Sequence, residues 1–455
     1  MPLIADRSVE EVRAAADLVE LVRGRVQLVR RGGRWWGPCP FHDERTPSFC
    51  LIPPDNAHYY CHGCGVSGDA ITWMQEQEGA SGFAEAIEGL ADRFGVTLHY
   101  QEESPAERAA RAAAAARRDL LERAATFFVE HLWRGEEAAP AREHMRERGF
   151  DEELCRRFRV GYAPAGGRTL VARALSEGFS PDALADAGLA RIRGRSAVDF
   201  FAGRIMFPIA DAQGRVQGFG GRTLDPNERA KYVNSPESDA FRKRRLLFGL
   251  SSARTAAAKA GYIVVAEGYT DVMGLARAGI DAAVACMGTS LTPDQLRLLA
   301  RSTSEVRLCF DADAAGVEAA WRTVEAASGI PLRLSAAQLP EGRDPGDLSA
   351  TEEGRAELAA LIEGSEPLLT CLIRSRAARA ENSPRARDDA VVDIGRLLQR
   401  FPDSVEKDEG VRLAAGLLQL SRGMEERLRS GAMAAPAARG EAPAAPPEPS
   451  RRPAG

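Results

Sequence analysis

Residues 39–64, "CPFHDERTPSFCLIPPDNAHYYCHGC", contain Cys39, His42, Cys50, His58, Cys61, His62 and Cys64. That is more soft donors than one zinc ion needs, because zinc takes four Cys or His ligands in a tetrahedron. Spacing chooses among them. Two residues separate Cys39 from His42 and Cys61 from Cys64, and eighteen lie between the pairs. A strand-turn-strand knuckle presents two ligands at that spacing. The preferred quartet is therefore Cys39, His42, Cys61 and Cys64, with Cys50, His58 and His62 as bystanders; the competing reading is buried cysteines beside surface histidines. Four protein ligands leave no open position, so a zinc held this way is structural. Nearby Arg34, Trp35, Trp36 and Tyr60 either form a rim that stacks on single-stranded nucleic acid or fill a small core around the metal.

A second chemistry is carried by acids that follow apolar runs. Glu267 and Asp271 end "YIVVAEGYTD", Asp311 and Asp313 sit in "VRLCFDADAAG", and Asp344 and Asp347 sit in "EGRDPGDL". In an open parallel sheet, ligands bind beyond the carboxyl ends of the strands, so acids from separate strands converge at one edge. Such a cluster repels itself unless it holds divalent cations, and oxygen donors suit Mg²⁺ or Mn²⁺. Metals held there can orient a nucleoside triphosphate and activate a 3′-hydroxyl. A single acid at a strand end is more simply a turn former or helix cap. Three clusters after consecutive strand-like runs point to a metal site.

The chain carries a net charge of -5, yet residues 202–250 hold nine Lys/Arg against five acids. Of the four lysines, Lys231 and Lys243 fall inside this segment, where arginine serves nearly every other cationic position. A whole-chain sum hides such a patch, and the patch is what a polyanion meets.

These residues need elements to hold them. "VEEVRAAADLVELV" repeats apolar residues on one helical face, predicting a helix over residues 9–22, and a second helix is expected from about Asp69 to Phe94. Between them, "RWWGPC", "SFCLI" and "HYYC" predict a small antiparallel sheet. "SPAE" at 104–107 combines a Ser cap, a first-turn Pro and a capping-box Glu, so a helix starts at about Pro105. "GRIMFPIADAQGRVQGFGGR" alternates like paired short strands. "YIVVA", "DAAVAC", "VRLCF" and "PLRLSA" alternate with helical stretches, as in a parallel α/β sheet. Residues 351–430 read as helical, and 431–455 as a Pro/Ala/Gly tail too poor in apolar surface to fold.

The expected architecture is multidomain α+β, with a zinc-binding domain over 1–100 and a mixed α/β basic subdomain over 105–255. A parallel catalytic subdomain over 256–350, the helical segment and the disordered tail follow. Half of the eight cysteines crowd into the metal block, which fits a reducing compartment rather than a disulfide framework. No signal peptide or apolar run of membrane-spanning length is visible, so a cytoplasmic protein at the nucleoid is expected.

Taken in order, "CPFHDERTPSF", "YYCHGCG", "RIMFPIADAQGRVQGFGGR", "KYVNSPES", "VVAEGYTDV" and "FDADAAG" resemble a bacterial DnaG-type DNA primase over residues 1–350. The resemblance implies a CHC2 zinc ribbon, a Toprim metal centre and synthesis of RNA primers from ribonucleoside triphosphates on single-stranded DNA. It implies that Glu267, Asp311, Asp313 and Asp344 bind magnesium, with Glu267 a general acid/base and Asp271 a supporting acid. It further implies that Arg204, Arg222, Lys231, Asn234 and Lys243 hold template or incoming nucleotide.

Three departures stand out. Ala202 occupies a position where many relatives carry another Arg, and Gly346 replaces the second acid of the usual Asp-Pro-Asp. The helical domain that docks on a DnaB-type replicative helicase is not seen, so either the recorded chain is truncated or recruitment works differently. A monomer is expected. The alternatives are an idle zinc-containing single-strand binder and a Toprim topoisomerase or nuclease; a fused helicase is disfavoured because no phosphate-loop motif occurs.

Overall fold

In the computed structural model, two helices that the apolar periodicity draws as continuous are each broken in two. The opening helix is two, Asp6–Ala15 and Leu18–Arg23, and the Asp17 carboxylate accepts the amides of Val19 (2.8 Å) and Glu20 (3.2 Å). A carboxylate cap satisfies amides that the first turn leaves without partners. The apolar stripe survives the break, since Val12, Leu18, Leu21 and Val22 remain buried. The second expected helix is likewise Ala70–Gln77 and Phe83–Phe94, started by Asp69 and Gly82. Gly79 to Gly82 supplies two glycines, whose helix propensity is about 1 kcal/mol below alanine.

The structure describes residues 3–431, except 43, 45, 53–56, 79, 81, 102–103, 195, 239–240, 289, 311–313 and 381–382. The proposed tail, apart from Gly431, therefore lies outside the described residues. The chain divides into two compact units, Met1–Ala114 and Ala115–Gly455. The division falls inside one long helix, Pro105–Arg134, which starts where the Ser-Pro signal placed it.

In the first unit, strands Val29–Arg31, Arg34–Gly37, Phe49–Ile52, His58–Cys61 and Ser67–Gly68 pair in chain order as an antiparallel sheet. Phe49, Leu51 and Tyr59 pack with Ile71, Trp73, Ile87 and Leu90 of the two following helices.

The second unit holds two larger sheets. The first is antiparallel, with Tyr232–Asn234, Val216–Thr223, Arg204–Ala210 and Gly161–Ala163 in spatial order. In the second, Ala283–Ala285, Ile263–Ala266, Glu305–Cys309 and Arg333–Ala336 are all parallel, and Glu366–Pro367 adds an antiparallel edge. Parallel strands are buried on both faces, and the Ile263–Ala266 strand shows how. Ile263 and Val265 face a core shared with Leu369, Leu372 and Ile394 of the C-terminal helices, while Val264 and Ala266 face one shared with Met273, Leu348 and Leu358. All strands of the parallel set thus end at one edge, with Ala266 level with Ala285 and Cys309.

Candidate functional site

The four expected metal ligands meet. The ligand atoms of Cys39, His42, Cys61 and Cys64 all lie within 4.8 Å of one another. Cys39 Sγ stands 3.9 Å from Cys64 Sγ, and Cys61 Sγ 3.8 Å from His42 Nδ1. Zinc–sulfur bonds of about 2.3 Å give tetrahedral edges of about 3.8 Å, so the cluster fits zinc. The tight knuckle demands Gly63, because a Cβ there would sit 2.7 Å from His42 Nε2 and 2.8 Å from Ser48 Oγ.

Amides are aimed at the sulfurs, Gly63 and Cys64 N–H at Cys61 Sγ and Phe41 N–H at Cys39 Sγ. Burial pushes the Cys61 thiol up, but the Ser48 hydroxyl and the Cys64 and Gly63 amides together bring it down to about 7. Glu44 accepts from the amides of Cys39 (2.7 Å) and Ser48 (2.9 Å) and lies 3.5 Å from His42 Nε2. Glu44 and Ser48 escaped the sequence reading, which looked only for soft donors and not for the acceptors that orient them. Of the bystanders, His62 stacks on Trp36 and stands 3.7 Å from the buried Cys50 Sγ.

In the second unit, Glu267 directly follows the Ile263–Ala266 strand, and its carbonyl accepts the Met287 amide (3.0 Å) from the neighbouring strand end. Asp271 is buried, and its Oδ2 accepts the Gly268 amide (2.8 Å), so it ties the turn that carries Glu267 to the helix Tyr269–Arg277. Asp311 and Asp313 lie outside the described residues. The strand before them ends at Cys309, level with Ala266, and the next described helix starts at Ala314.

Asp344 caps the short helix Pro345–Leu348 through the Asp347 amide (2.7 Å). That helix lies against Tyr269–Arg277 because Gly274 has no side chain; a Cβ there would come within 2.5 Å of Pro345 O. Asp344 also pairs with Arg148, 3.3 Å away, and the same guanidinium reaches Asp347 at 3.1 Å. Arg148 was not anticipated, since nothing local marks one arginine on a helix-rich stretch as the partner of an acid 196 residues on.

The expected basic residues divide into two kinds. Arg222 keeps Nε and Nη1 buried with no hydrogen-bond partner. Burial, and secondarily the nearby Arg148, lower its affinity for its proton, while the Tyr232 phenol opposes the shift. Lys243 is partly buried, which lowers its pKa, and its Nζ lies beside Gly288 at the acidic edge. Its turn is held by the Gln295 amide, which donates to the carbonyls of Lys243 (3.2 Å) and Leu246 (2.8 Å), and by the Thr292 hydroxyl on Arg244 O (2.6 Å).

Arg204 and Asn234 behave differently. The buried Arg204 guanidinium donates to the carbonyls of Gly221 (3.3 Å), Ala230 (3.2 Å) and Lys231 (3.5 Å) and pairs with Glu228. In this structure it clips the loop that carries Lys231 rather than offering a free charge. Asn234 Oδ1 accepts from the Tyr269 hydroxyl, which reaches across from the turn that follows Glu267. Gly220 makes room, because a Cβ there would be 2.1 Å from Tyr269 Oη.

His144 marks where the cations meet. Burial first, and then the charges of Arg222, Arg148 and Lys231, push its imidazole down to about 4. Its Nε2 is buried without a partner. Tyr232 joins this group to the acidic side, since it feels Arg222 and Arg148 as well as Thr270 and Asp271. Cations and acids are therefore neighbours here: Arg148 pairs with Asp344 and acts on Arg222 and His144, and Tyr232 lies near both Arg222 and Asp271. Such a site suits a phosphate chain accompanied by divalent cations.

Comparison with known proteins gives three family matches: the CHC2 zinc finger over residues 4–106, the DNA primase catalytic core N-terminal domain over 127–254, and a Toprim-like domain over 264–349. The DNA primase of Salmonella typhimurium is 37% identical over 373 residues, covering 81% of this chain and 63% of that protein. The chain thus spans somewhat under two thirds of the length of such relatives. The zinc-binding and RNA polymerase domains of the Aquifex aeolicus primase align at 30% identity and a TM-score of 0.58, over 92% of this chain and 98% of that one. A DnaG primase catalytic domain solved bound to ssDNA aligns at 34% identity and a TM-score of 0.59, over 68% and 98%.

Proposed function

The chain belongs to the DnaG-type DNA primase family, and from that premise we propose that it is a DNA-directed RNA primase, a nucleotidyltransferase that builds short RNA primers on single-stranded DNA. The observation that carries this reading is the nearness of a group of cations to the acids that follow the parallel strands. Arg222, Arg148 and Lys231 gather around His144, and Arg148 and Tyr232 connect this group to Asp344 and Asp271.

Zinc belongs to the Cys39, His42, Cys61 and Cys64 cluster, where it keeps a template-binding surface in shape. Glu267, Asp311, Asp313 and Asp344 would hold Mg²⁺ or Mn²⁺, all offering the hard oxygen donors that these ions prefer. When bound, the ions supply charge stabilisation for attack of a 3′-hydroxyl on an α-phosphate and for departure of pyrophosphate.

The chain's own groups do the rest. Arg222 and Lys231 bind the triphosphate, and Lys243 adds a cation at the acidic edge where the α-phosphate would lie. Glu267 takes the proton of the attacking hydroxyl. Asp271, Gln295 and the Arg204 clip keep Glu267, Lys243 and Lys231 in place, so little reorganisation is left for the moment of reaction.

The partners are a single-stranded DNA template, ribonucleoside triphosphates, the RNA primer and a DnaB-type helicase. The protein is expected to act as a monomer in the cytoplasm at the nucleoid, and no helix among the described residues is long and apolar enough to cross a membrane. The test is labelled RNA synthesis on a single-stranded template with Mg²⁺. Product that depends on template and is lost in Glu267→Gln supports the reading; undiminished synthesis by that variant refutes the site.

A further inference from the structure

Three open depressions on the second unit join end to end. The first, about 610 Å³, lies beside the turn Lys243–Arg245 and is lined by Arg242, Arg244 and Arg245 with Glu237 and Asp294. The second, about 750 Å³, shares Arg244 and Asp294 with it and adds Arg297 and Arg322. The third, about 720 Å³, shares Arg322 and continues between the helices Ala314–Ala326, Leu368–Ala378 and Pro384–Leu398, where Arg376, Arg379, Arg396 and Arg400 face Trp321.

The charges along this track do not balance. Asp294 serves both Arg245 and Arg297, and Asp393 serves both Arg376 and Arg396. Glu318 and Glu325 take Arg322 and Arg400. Arg244 and Arg379 have no side-chain partner among the described residues. A chain that is acidic overall therefore keeps a surplus of guanidinium along one line.

The line also has a defined start. The helix Ala314–Ala326 begins one residue after Asp313 and walls the third depression from Val317 to Glu325. At about 1.5 Å per residue it runs for about 20 Å. The other end starts at the turn that presents Lys243. One strand of nucleic acid held at the catalytic edge can follow the arginines to the C-terminal helices, with Trp321, half-buried, positioned as a stacking platform.

We infer that this track binds the phosphate backbone of single-stranded nucleic acid outside the catalytic site, and so extends the footprint of the enzyme onto its C-terminal helices. The inference rests on the primase reading only for the identity of the strand as template. An arginine line with an aromatic platform is the chemistry of sequence-tolerant strand binding, whereas an acidic protein partner would have no use for a base-stacking surface.

The test uses the full chain and fluorescently labelled single-stranded DNA of two lengths, about 8 and about 30 nucleotides, one within and one beyond the site sizes of about 4–16 nucleotides usual for strand-binding folds. In the double variant Arg379→Glu/Arg396→Glu, affinity for the long strand should fall about tenfold and its salt slope by about 1.4, at about 0.7 per lost phosphate contact. The short strand, held by the catalytic site, should bind unchanged. Trp321→Ala should repeat the length-dependent loss and Trp321→Phe should restore most of it, which separates stacking from packing.

Equal losses for both lengths, an unchanged salt slope, or displacement of the long strand by polyglutamate at equal charge would overturn the inference. A wild-type chain that makes no RNA, with the length-dependent loss still seen in the variants, refutes the primase reading and leaves the track standing. The converse result refutes the track alone.

Discussion

Arg148 and Asp344 form an ion pair of 3.3 Å across 196 residues of sequence, with side chains only 18% and 31% exposed. The pair joins the helical segment ahead of the basic sheet to the last acidic turn of the parallel sheet. Half-buried, charge-assisted contacts of this kind are worth about 1–3 kcal/mol. A double-mutant cycle of Arg148→Ala and Asp344→Asn, read by urea unfolding, should give a coupling of about 1–2 kcal/mol. Additive losses would mean that the two do not hold each other.

Arg222 and Arg204 should separate in their effects. Arg222→Ala removes a cation that touches Tyr232 but keeps two nitrogens unpartnered, so it should raise the Kd of a ribonucleoside triphosphate about tenfold or more and flatten its salt dependence, with a smaller loss of stability than Arg204→Ala. Arg204→Ala leaves three carbonyls without their buried donor. It should lower the unfolding midpoint as well as weaken nucleotide binding. If the two variants behave alike, the division between ligand-binding and loop-holding arginines fails.

His144 predicts a pH dependence. Its folded pKa of about 4, set first by burial and then by Arg222, Arg148 and Lys231, lies below the ordinary histidine value of about 6.5. The unfolded chain then binds more protons between these values, so the contribution of His144 is fully present above about pH 6.5 and is lost as the pH falls toward about 4. His144→Gln should flatten the fall in urea midpoint over that window. A slope identical to the wild type would remove His144 as its source.

The zinc knuckle should depend on Gly63 and not on His62. Gly63→Ala drives a methyl group against His42 and Ser48. Disturbed ligand orientation of this kind costs about 10- to 100-fold in metal affinity. His62→Ala should retain one zinc per chain by metal analysis. Stripping the metal with a chelator should unfold the first unit and leave the second protected from proteolysis; loss of both together would contradict two independent units.

Tyr269 ties the two sheets of the catalytic unit. Tyr269→Phe removes the donor to Asn234 and should cost about 1–3 kcal/mol. Gly220→Ala forces the Tyr269 ring out of its slot and should cost at least as much. Both should lower kcat more than they raise KM, because Tyr269 sits two residues from Glu267. A pure KM effect would place the catalytic site elsewhere.

The sequence by itself determined whatever is local or periodic. Cys-x-x-His and Cys-x-x-Cys spacing named the zinc quartet, because a knuckle is a few residues long and its ligands are set by their own turn. Alternation of apolar strands and helices located the parallel sheet, and parallel topology requires that the residues after its strands share an edge. Residue types at those ends named Glu267 and the Asp344 turn as candidates before any coordinates.

Only the tertiary structure decided which side chains were already engaged. Arg204 and Arg222 are equally good cations in the sequence, yet one is committed to backbone carbonyls and the other keeps two buried nitrogens without partners. The cap at Asp17 divides one helix that hydrophobic periodicity ran together and the start at Gly82 divides another, since periodicity reports the buried face and not the caps. Arg148, His144, Gln295 and Tyr269 could not be picked out at all, because their roles come from partners brought near by the packing of two sheets. The joined depressions are likewise a property of several distant segments at once, the turn Lys243–Arg245 and the C-terminal helices among them. Spacing encodes chemistry within a turn, whereas contacts between distant segments exist only when the whole chain has paid its conformational entropy and packed.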